Sequence, residues 1–236
     1  MTKRDKPSDG VHDGLTSRWQ TLGILFRSHP WHGVPIGPQA PEVVTVYVEI
    51  VPTDTVKYEL DKVTGILRVD RPQKYSNVSP SLYGLIPRTL CADRVAELCS
   101  QRTGRPGIVG DGDPLDVCVL TERVLAHGDV LVRARPIGGL RMLDGDEADD
   151  KIVAVLDGDG VFGAIREVEE VPPALLDRLR HYFLTYKQSP DTTGPTTEIT
   201  HVYGREEALE VIRRSQQDYH ASYGDLDALL DAALPG

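Results

Sequence analysis

The chain has 236 residues, 40% hydrophobic and 26% charged, and a net charge of −10. That length supports one sizeable core, or one domain with appendages, and the composition is that of an ordinary soluble globular protein. The acidic balance argues against nucleic acid as a partner, since a nucleic-acid binder carries a basic face. It leaves an anionic substrate open, because bound metal ions invert the local field. Cys91, Cys99 and Cys118 are odd in number and form no CxxC pair, so they read as reduced thiols in a cytoplasmic protein rather than a disulfide framework. No apolar run approaches the roughly 18 residues of a membrane span, and residues 1–10 are too polar for a secretory signal, so no membrane association is expected.

Residues 1–40 read as an N-terminal extension packing partly on the core: polar at first, then Trp19 to Phe26, then a Pro/Gly-rich run. His29, Trp31 and His32 fit a tucked-in loop better than a ligand site. Residues 43–51 form the first expected strand, with Val44, Val46, Val48 and Ile50 on one face and Tyr47 and Glu49 on the other. Residues 56–61 alternate again, Tyr58 and Leu60 against Lys57, Glu59 and Asp61. Thr64-Gly65 turns this strand into 66–69 as a hairpin, and Arg71 follows at the strand end. Glu49, Lys57, Glu59 and Arg71 could line one wet surface of a curved sheet; taken alone, the segment is better described as a solvated face with cross-strand ion pairs.

Residues 72–87, with Tyr75, Tyr83 and Gly84, read as loop. Residues 91–101 have the pattern of a short amphipathic helix with Val95, Leu98 and Cys99 inward. Apolar strands are expected at 117–120, at 130–136, where Gly138-Gly139 breaks the strand, and at 152–156. Asp157-Gly158-Asp159-Gly160 resembles the start of a calcium loop, but Val161, Phe162 and Val168 stand where an EF-hand needs an oxygen ligand, glycine and glutamate. A hairpin turn is the better reading. A helix is expected over 172–187, with Leu175, Leu179, Tyr182, Phe183 and Tyr186 at helical spacing and Tyr186-Lys187 able to reach the sheet. A second helix runs from Gly204 to about Tyr223, and 225–234 is a short closing helix or tail. Strands followed by helices indicate a β-rich domain, 41–203, with flanking helices and with 204–236 packed on the same domain.

Two acidic stretches carry the chemistry. Asp111-Gly112-Asp113-Pro114-Leu115-Asp116 holds three carboxylates in six residues, and Asp144-Gly145-Asp146-Glu147-Ala148-Asp149-Asp150 holds five in the seven before Lys151. Carboxylates this dense stay ionised together only with cations among them. Oxygen ligands without nearby Cys or His select a hard ion such as Mg2+, with Mn2+ or Zn2+ as substitutes separated only by size and geometry. Two metals roughly 3.5–4 Å apart can activate a shared water, a carboxylate can take its proton, and lysines and arginines can hold phosphoryl oxygens. No GxSxG, no Cys/His pair at a recognisable spacing and no GxxxxGK[ST] is present. The residues therefore point to metal-dependent hydrolysis of a small phosphoanhydride. The alternatives are a polyanion-binding OB-type module and a metal-dependent nucleotide phosphohydrolase.

Asp-Gly-Asp-Pro-Leu-Asp-Val at 111–117 resembles the signature of soluble inorganic pyrophosphatases, the magnesium-dependent single-domain (family I) type. The resemblance continues in order through Glu49-Ile50, Lys57 to Asp61, Val69-Asp70-Arg71, Tyr83-Gly84, Arg135 to Gly138, Asp144 to Lys151 and Tyr186-Lys187. It implies a five-stranded closed barrel of OB type with helices packed outside. It implies that Asp111, Asp116 and Asp149 bind activating Mg2+, with Asp116 bridging two ions. Asp144, with Asp149, takes a further ion arriving with substrate. Asp113 is then the general base, Glu49 and Glu59 hold metal-bound waters, and Lys57, Arg71, Tyr83, Lys151, Tyr186 and Lys187 hold pyrophosphate. The reaction implied is direct attack of water without a covalent intermediate. Ser79 stands where the family pattern has a tyrosine, for which Tyr75 could compensate. The 88–110 stretch is longer than in compact bacterial members, and with the terminal additions it implies a homo-oligomer smaller than their hexamer, such as a dimer.

Overall fold

Alternation along the strands builds the wall that carries the site. In a computed structural model, which describes residues 27–188, 197–224, 228 and 232, the first strand is β1 (Val44–Ile50). β2 (Val56–Leu60) and β3 (Leu67–Pro72) form the expected hairpin, turned by Gly65 at a φ of 70°. β4 (Leu82–Leu85), β5 (Val109–Gly110), β6 (Asp116–Leu120), β7 (Val130–Asp144), β8 (Glu147–Ala148) and β9 (Lys151–Leu156) follow, with β10 (Thr197–Gly204) near the end. Among the helices are α1 (Asp93–Thr103), α2 (Pro173–Thr185) and α3 (Arg205–Tyr223).

Five strands close a ring: β1 pairs with β4, β4 with β6, β6 with β9, β9 with β7, and β7 back with β1. All of these pairs are antiparallel except β6 with β9. The ring is the expected OB-type barrel, and closure leaves it no free edge. Successive residues of one strand feed two separate cores. Val117, Val119, Ile152 and Ala154 join the cluster that takes in α1 and α3. Cys118, Leu120, Val153 and Val155 join the cluster that takes in α2. This is period-two geometry with both faces covered, so the strands read as unbroken apolar runs.

Three sequence expectations change. The 72–87 loop contains β4, a full member of the ring. Gly138-Gly139 does not end its strand: β7 runs on to Asp144. A Cβ at Gly138 would lie 2.5 Å from the Tyr203 carbonyl oxygen, and one at Gly139 2.4 Å from the Tyr203 ring. The glycines thus admit β10, which pairs along that length of β7. Asp157 to Gly160 is a turn but not a hairpin turn, since the chain passes from β9 into 3-10 turns at Phe162–Ala164 and Val168–Glu170. Asp159 holds it by accepting from the N–H groups of Glu122, Val161 and Phe162 and from the Thr121 hydroxyl.

α1 begins without a side-chain cap of its own. Asp218 of α3, 2% exposed, supplies one: its carboxylate accepts from the backbone N–H groups of Ala92, Arg94 and Val95 at 3.1–3.2 Å and from the Arg94 guanidinium at 3.0 Å. The first-turn donors of one helix are thus satisfied by the other. Residues 29–224 form one compact unit. Trp19 to Phe26 and, apart from residues 228 and 232, the stretch 225–234 lie outside the described residues. Among the described residues no helix is long and apolar enough to cross a membrane.

Candidate active site

One cavity of about 200 Å³ gathers almost every residue singled out from the sequence. Glu49, Lys57, Glu59, Tyr83, Asp111, Asp113, Asp116, Asp144, Asp149, Lys151, Tyr186 and Lys187 all line it. Arg71 does not, but its guanidinium carbon lies 5.8 Å from the ring centre of Tyr186, at the cavity's edge. Glu49, Lys57 and Glu59 thus border one cavity, and the expected cross-strand pairing is present as well, Lys57 to Asp70 at 3.0 Å. Tyr75 is 69% exposed and does not line the cavity, and Ser79 turns its hydroxyl onto the Ser81 carbonyl.

The register explains the convergence. β6 and β9 lie side by side in parallel with Asp116 opposite Lys151, and β4 sets Leu85 opposite Asp116 and Tyr83 opposite Cys118. The Lys151 ammonium bonds both Asp116 and Asp149 and is 2% exposed. The β7–β8 hairpin, turned at Gly145 with a φ of 62°, places Asp144 where the Lys187 ammonium reaches it. Tyr186 follows α2, whose Tyr182 and Phe183 anchor it in the second core. Opposite the step from Lys57 to Tyr58, β3 carries one extra residue, Asp70, and Lys57, Tyr58, Glu59 and Leu60 all border the cavity.

The electrostatics follow from burial of like charges. Burial pushes the Glu49 carboxyl up to about 8; the Asp116 charge adds to this, and the Leu60 N–H it accepts at 2.7 Å opposes it. Asp111 is also pushed up to about 8, chiefly by burial, against the Asp113 N–H bond at 2.9 Å and with Asp149 and Asp116 adding to the rise. Burial works against the Lys151 charge, yet Asp116 and Asp149 hold its pKa well above the ordinary value. Near neutral pH, buried carboxyls such as Glu49 and Asp111 hold protons until further cations arrive.

Sequence reasoning missed Lys62, Glu147 and Tyr58, which share the cavity wall. Lys62 bonds Asp113 directly. It sits one residue past Asp61 in a turn, where alternation gives no direction and no motif marks it. Asp146 and Asp150 do not line the cavity; Asp150 instead pairs with buried Arg141 at 2.9 Å.

An OB-type barrel whose wall brings carboxylates, lysines and tyrosines around a small open cavity defines a class: hydrolases acting on a compact phosphoanhydride. The comparisons narrow it. The family model for inorganic pyrophosphatase matches residues 46–220. An inorganic pyrophosphatase of Chlamydia trachomatis is 52% identical over 199 residues, 83% of this chain and 95% of that protein. A soluble inorganic pyrophosphatase of Oryza sativa subsp. indica is 40% identical over 194 residues, 82% of this chain and 80% of that one. The crystal structure of inorganic pyrophosphatase from Thermus thermophilus superposes with a TM-score of 0.67 at 31% identity, covering 81% of this chain and 98% of that one. The chain belongs to the inorganic pyrophosphatase family. It is an inorganic diphosphatase, hydrolysing pyrophosphate to two orthophosphates, and its family is metal-dependent.

Proposed function

We propose that water attacks pyrophosphate directly in this cavity, with Asp113 as general base and no covalent intermediate. The observation that carries the reading is the meeting of the two acidic stretches with Lys57, Tyr83, Lys151, Tyr186 and Lys187 around one small cavity. Its volume falls below the usual range of pockets for larger ligands, roughly 300–1,000 Å³. That favours pyrophosphate over a nucleotide or an extended polyanion.

Asp111, Asp116 and Asp149 would hold activating Mg2+, and Asp144 with Asp149 an ion arriving with substrate. Glu49 and Glu59 would hold water on those ions. The donor set fits: it is all oxygen, and two of its own carboxyls, Glu49 and Asp111, are ones whose pKa burial raises in the absence of added cations. Among the described residues no three acidic, His or Cys side chains already form a closed ligand group. Mg2+ asks for none, since it keeps several waters and takes one or two carboxylates plus phosphate oxygens. When bound, Mg2+ supplies charge that lowers the pKa of water and screens phosphoryl oxygens.

The chain's own part is to orient and to move a proton. The Asp113 N–H donates to Asp111, which fixes the loop, and the Asp113 side chain is 38% exposed at the cavity, open to a water. Lys57, Lys151, Lys187, Tyr83, Tyr186 and Arg71 would hold the two phosphates as they gain charge. Mg2+ titration by calorimetry tests the ligand set. Asp116→Asn should weaken binding at least tenfold and Asp146→Asn by less than about twofold; equal losses would overturn the assignment.

Three buried free cysteines support a reducing, cytoplasmic setting. The α1 insertion and the additions at both ends support a homo-oligomer smaller than a hexamer, a dimer in this reading. The proposed division is an extension at 1–40, a barrel domain at 41–203 and helices at 204–236 on the same domain.

A further inference from the structure

The segment from His29 to His32 lies outside the cavity, yet it bonds to the chain behind both of its walls. The Nδ1 of His29 faces the backbone N–H groups of Trp31 at 3.2 Å and His32 at 3.4 Å, so it is an acceptor. That leaves the proton on Nε2, which donates to the Lys62 carbonyl at 3.2 Å. The same ring fills the hollow over Gly65: a Cβ there would lie 2.8 Å from His29 Cδ2. The β2–β3 turn is thus seated on His29, through a residue that has no side chain to intervene.

Trp31 reaches the other wall. Its indole N–H donates to the Thr89 carbonyl at 2.7 Å, and its own carbonyl accepts from the Arg88 N–H at 2.9 Å. The Thr89 hydroxyl oxygen accepts from the Leu115 N–H at 2.9 Å, inside the acidic motif. Cys91 N–H donates to the Asp113 carbonyl at 2.8 Å. Trp31 is 2% exposed and Thr89 fully buried, so water does not compete for these bonds. His32 in turn bonds the Tyr219 hydroxyl at 2.7 Å and stacks on Trp31, which ties the segment to α3.

One four-residue segment therefore holds the turn that bears Lys62 and the loop that bears Asp113, and those two side chains meet at the cavity. We propose that His29 is a positioning residue: the segment is a strut that fixes Lys62 against Asp113 and so sets turnover while touching no substrate. The proposal rests on the reading of Lys62 and Asp113 as site residues.

A double-mutant cycle tests it, read as kcat and KM for pyrophosphate at saturating Mg2+, with thermal midpoints to check folding. Lys62→Ala should lower kcat/KM by about 10- to 100-fold. His29→Ala should lower it by about tenfold in the wild-type background, through kcat rather than KM. In the Lys62→Ala background the same change should cost less than about twofold. His29→Gln, which can donate to the same carbonyl, should recover most of the loss, and it keeps the test open if His29→Ala folds poorly. Equal losses in both backgrounds, or Lys62→Ala at the wild-type rate, would overturn the proposal. Asp113→Asn, assayed alongside, keeps the two readings apart. Its full activity would refute the base assignment and leave the coupling of His29 to Lys62 to stand or fall on the cycle.

Discussion

Metal-free stability should fall as pH rises from 6.5 to 8, the reverse of what paired surface carboxylates give. Glu49 and Asp111 are each raised to about 8 in the folded protein, against ordinary values near 4 in the unfolded chain. Between those limits the folded state binds more protons than the unfolded state, so the slope of unfolding free energy with pH is negative. Stability from these groups is fully present below about pH 4 and is lost as pH climbs through 8. One full proton per pH unit is worth about 1.4 kcal/mol. Allowing for partial titration near 8, each group contributes a loss of about 1.5 kcal/mol over this window. The two share the Asp116 charge, so their sum is an upper bound. Starting at pH 6.5 avoids most of the opposite effect of His32, whose value burial lowers to about 4. Urea denaturation in EDTA at pH 6.5, 7.25 and 8 measures the slope. Glu49→Gln, whose amide oxygen can still accept the Leu60 N–H, should remove about half of it. Saturating Mg2+ should flatten the rest by displacing the protons. A flat or rising metal-free profile, or an unchanged slope in Glu49→Gln, would refute this account of the cavity.

Two further expectations concern single side chains. Lys57→Ala should raise KM for pyrophosphate or lower kcat while moving the thermal midpoint by no more than about 2 °C, because its pair with Asp70 lies at the surface and such pairs are worth less than about 1 kcal/mol; a large drop in midpoint would mark Lys57 as a structural residue. Asp218→Ala should destabilise the protein by about 2–4 kcal/mol in urea denaturation, since it removes a buried cap and leaves the first-turn donors of α1 and Arg94 without it; a loss under about 0.5 kcal/mol would mean that solvent replaces the cap.

Much of the site was legible because its chemistry is dense in the chain. The two acidic stretches each run into an apolar strand, and those strands, β6 and β9, lie side by side in the ring. Alternation located β1, β2 and the start of β7, and helical spacing located α1, α2 and α3. What the sequence hid has physical causes. β4 is four residues long and contains Gly84, so it offers no period to read, yet Gly84 is what lets the chain pass close to the Tyr47 carbonyl. The glycine pair at 138–139 carries the usual sign of a break, and only the packing of Tyr203 shows it as a place of close approach. β10 mixes Thr, His and Glu and takes its pairing from β7 rather than from its own propensity. Lys62 lies in the turn between β2 and β3, and His29, which bonds its carbonyl, comes from 33 residues earlier in the chain.

The central claim, a metal-dependent hydrolysis with Asp113 taking the proton, is tested most directly by phosphate release from pyrophosphate with and without Mg2+, for the wild-type chain and Asp113→Ala. Fast release that requires Mg2+ and falls by roughly 10²–10⁴-fold in the variant is the expected result. Full release by Asp113→Ala would contradict the assigned base, and no release by the wild-type chain with any divalent metal would contradict the reaction itself.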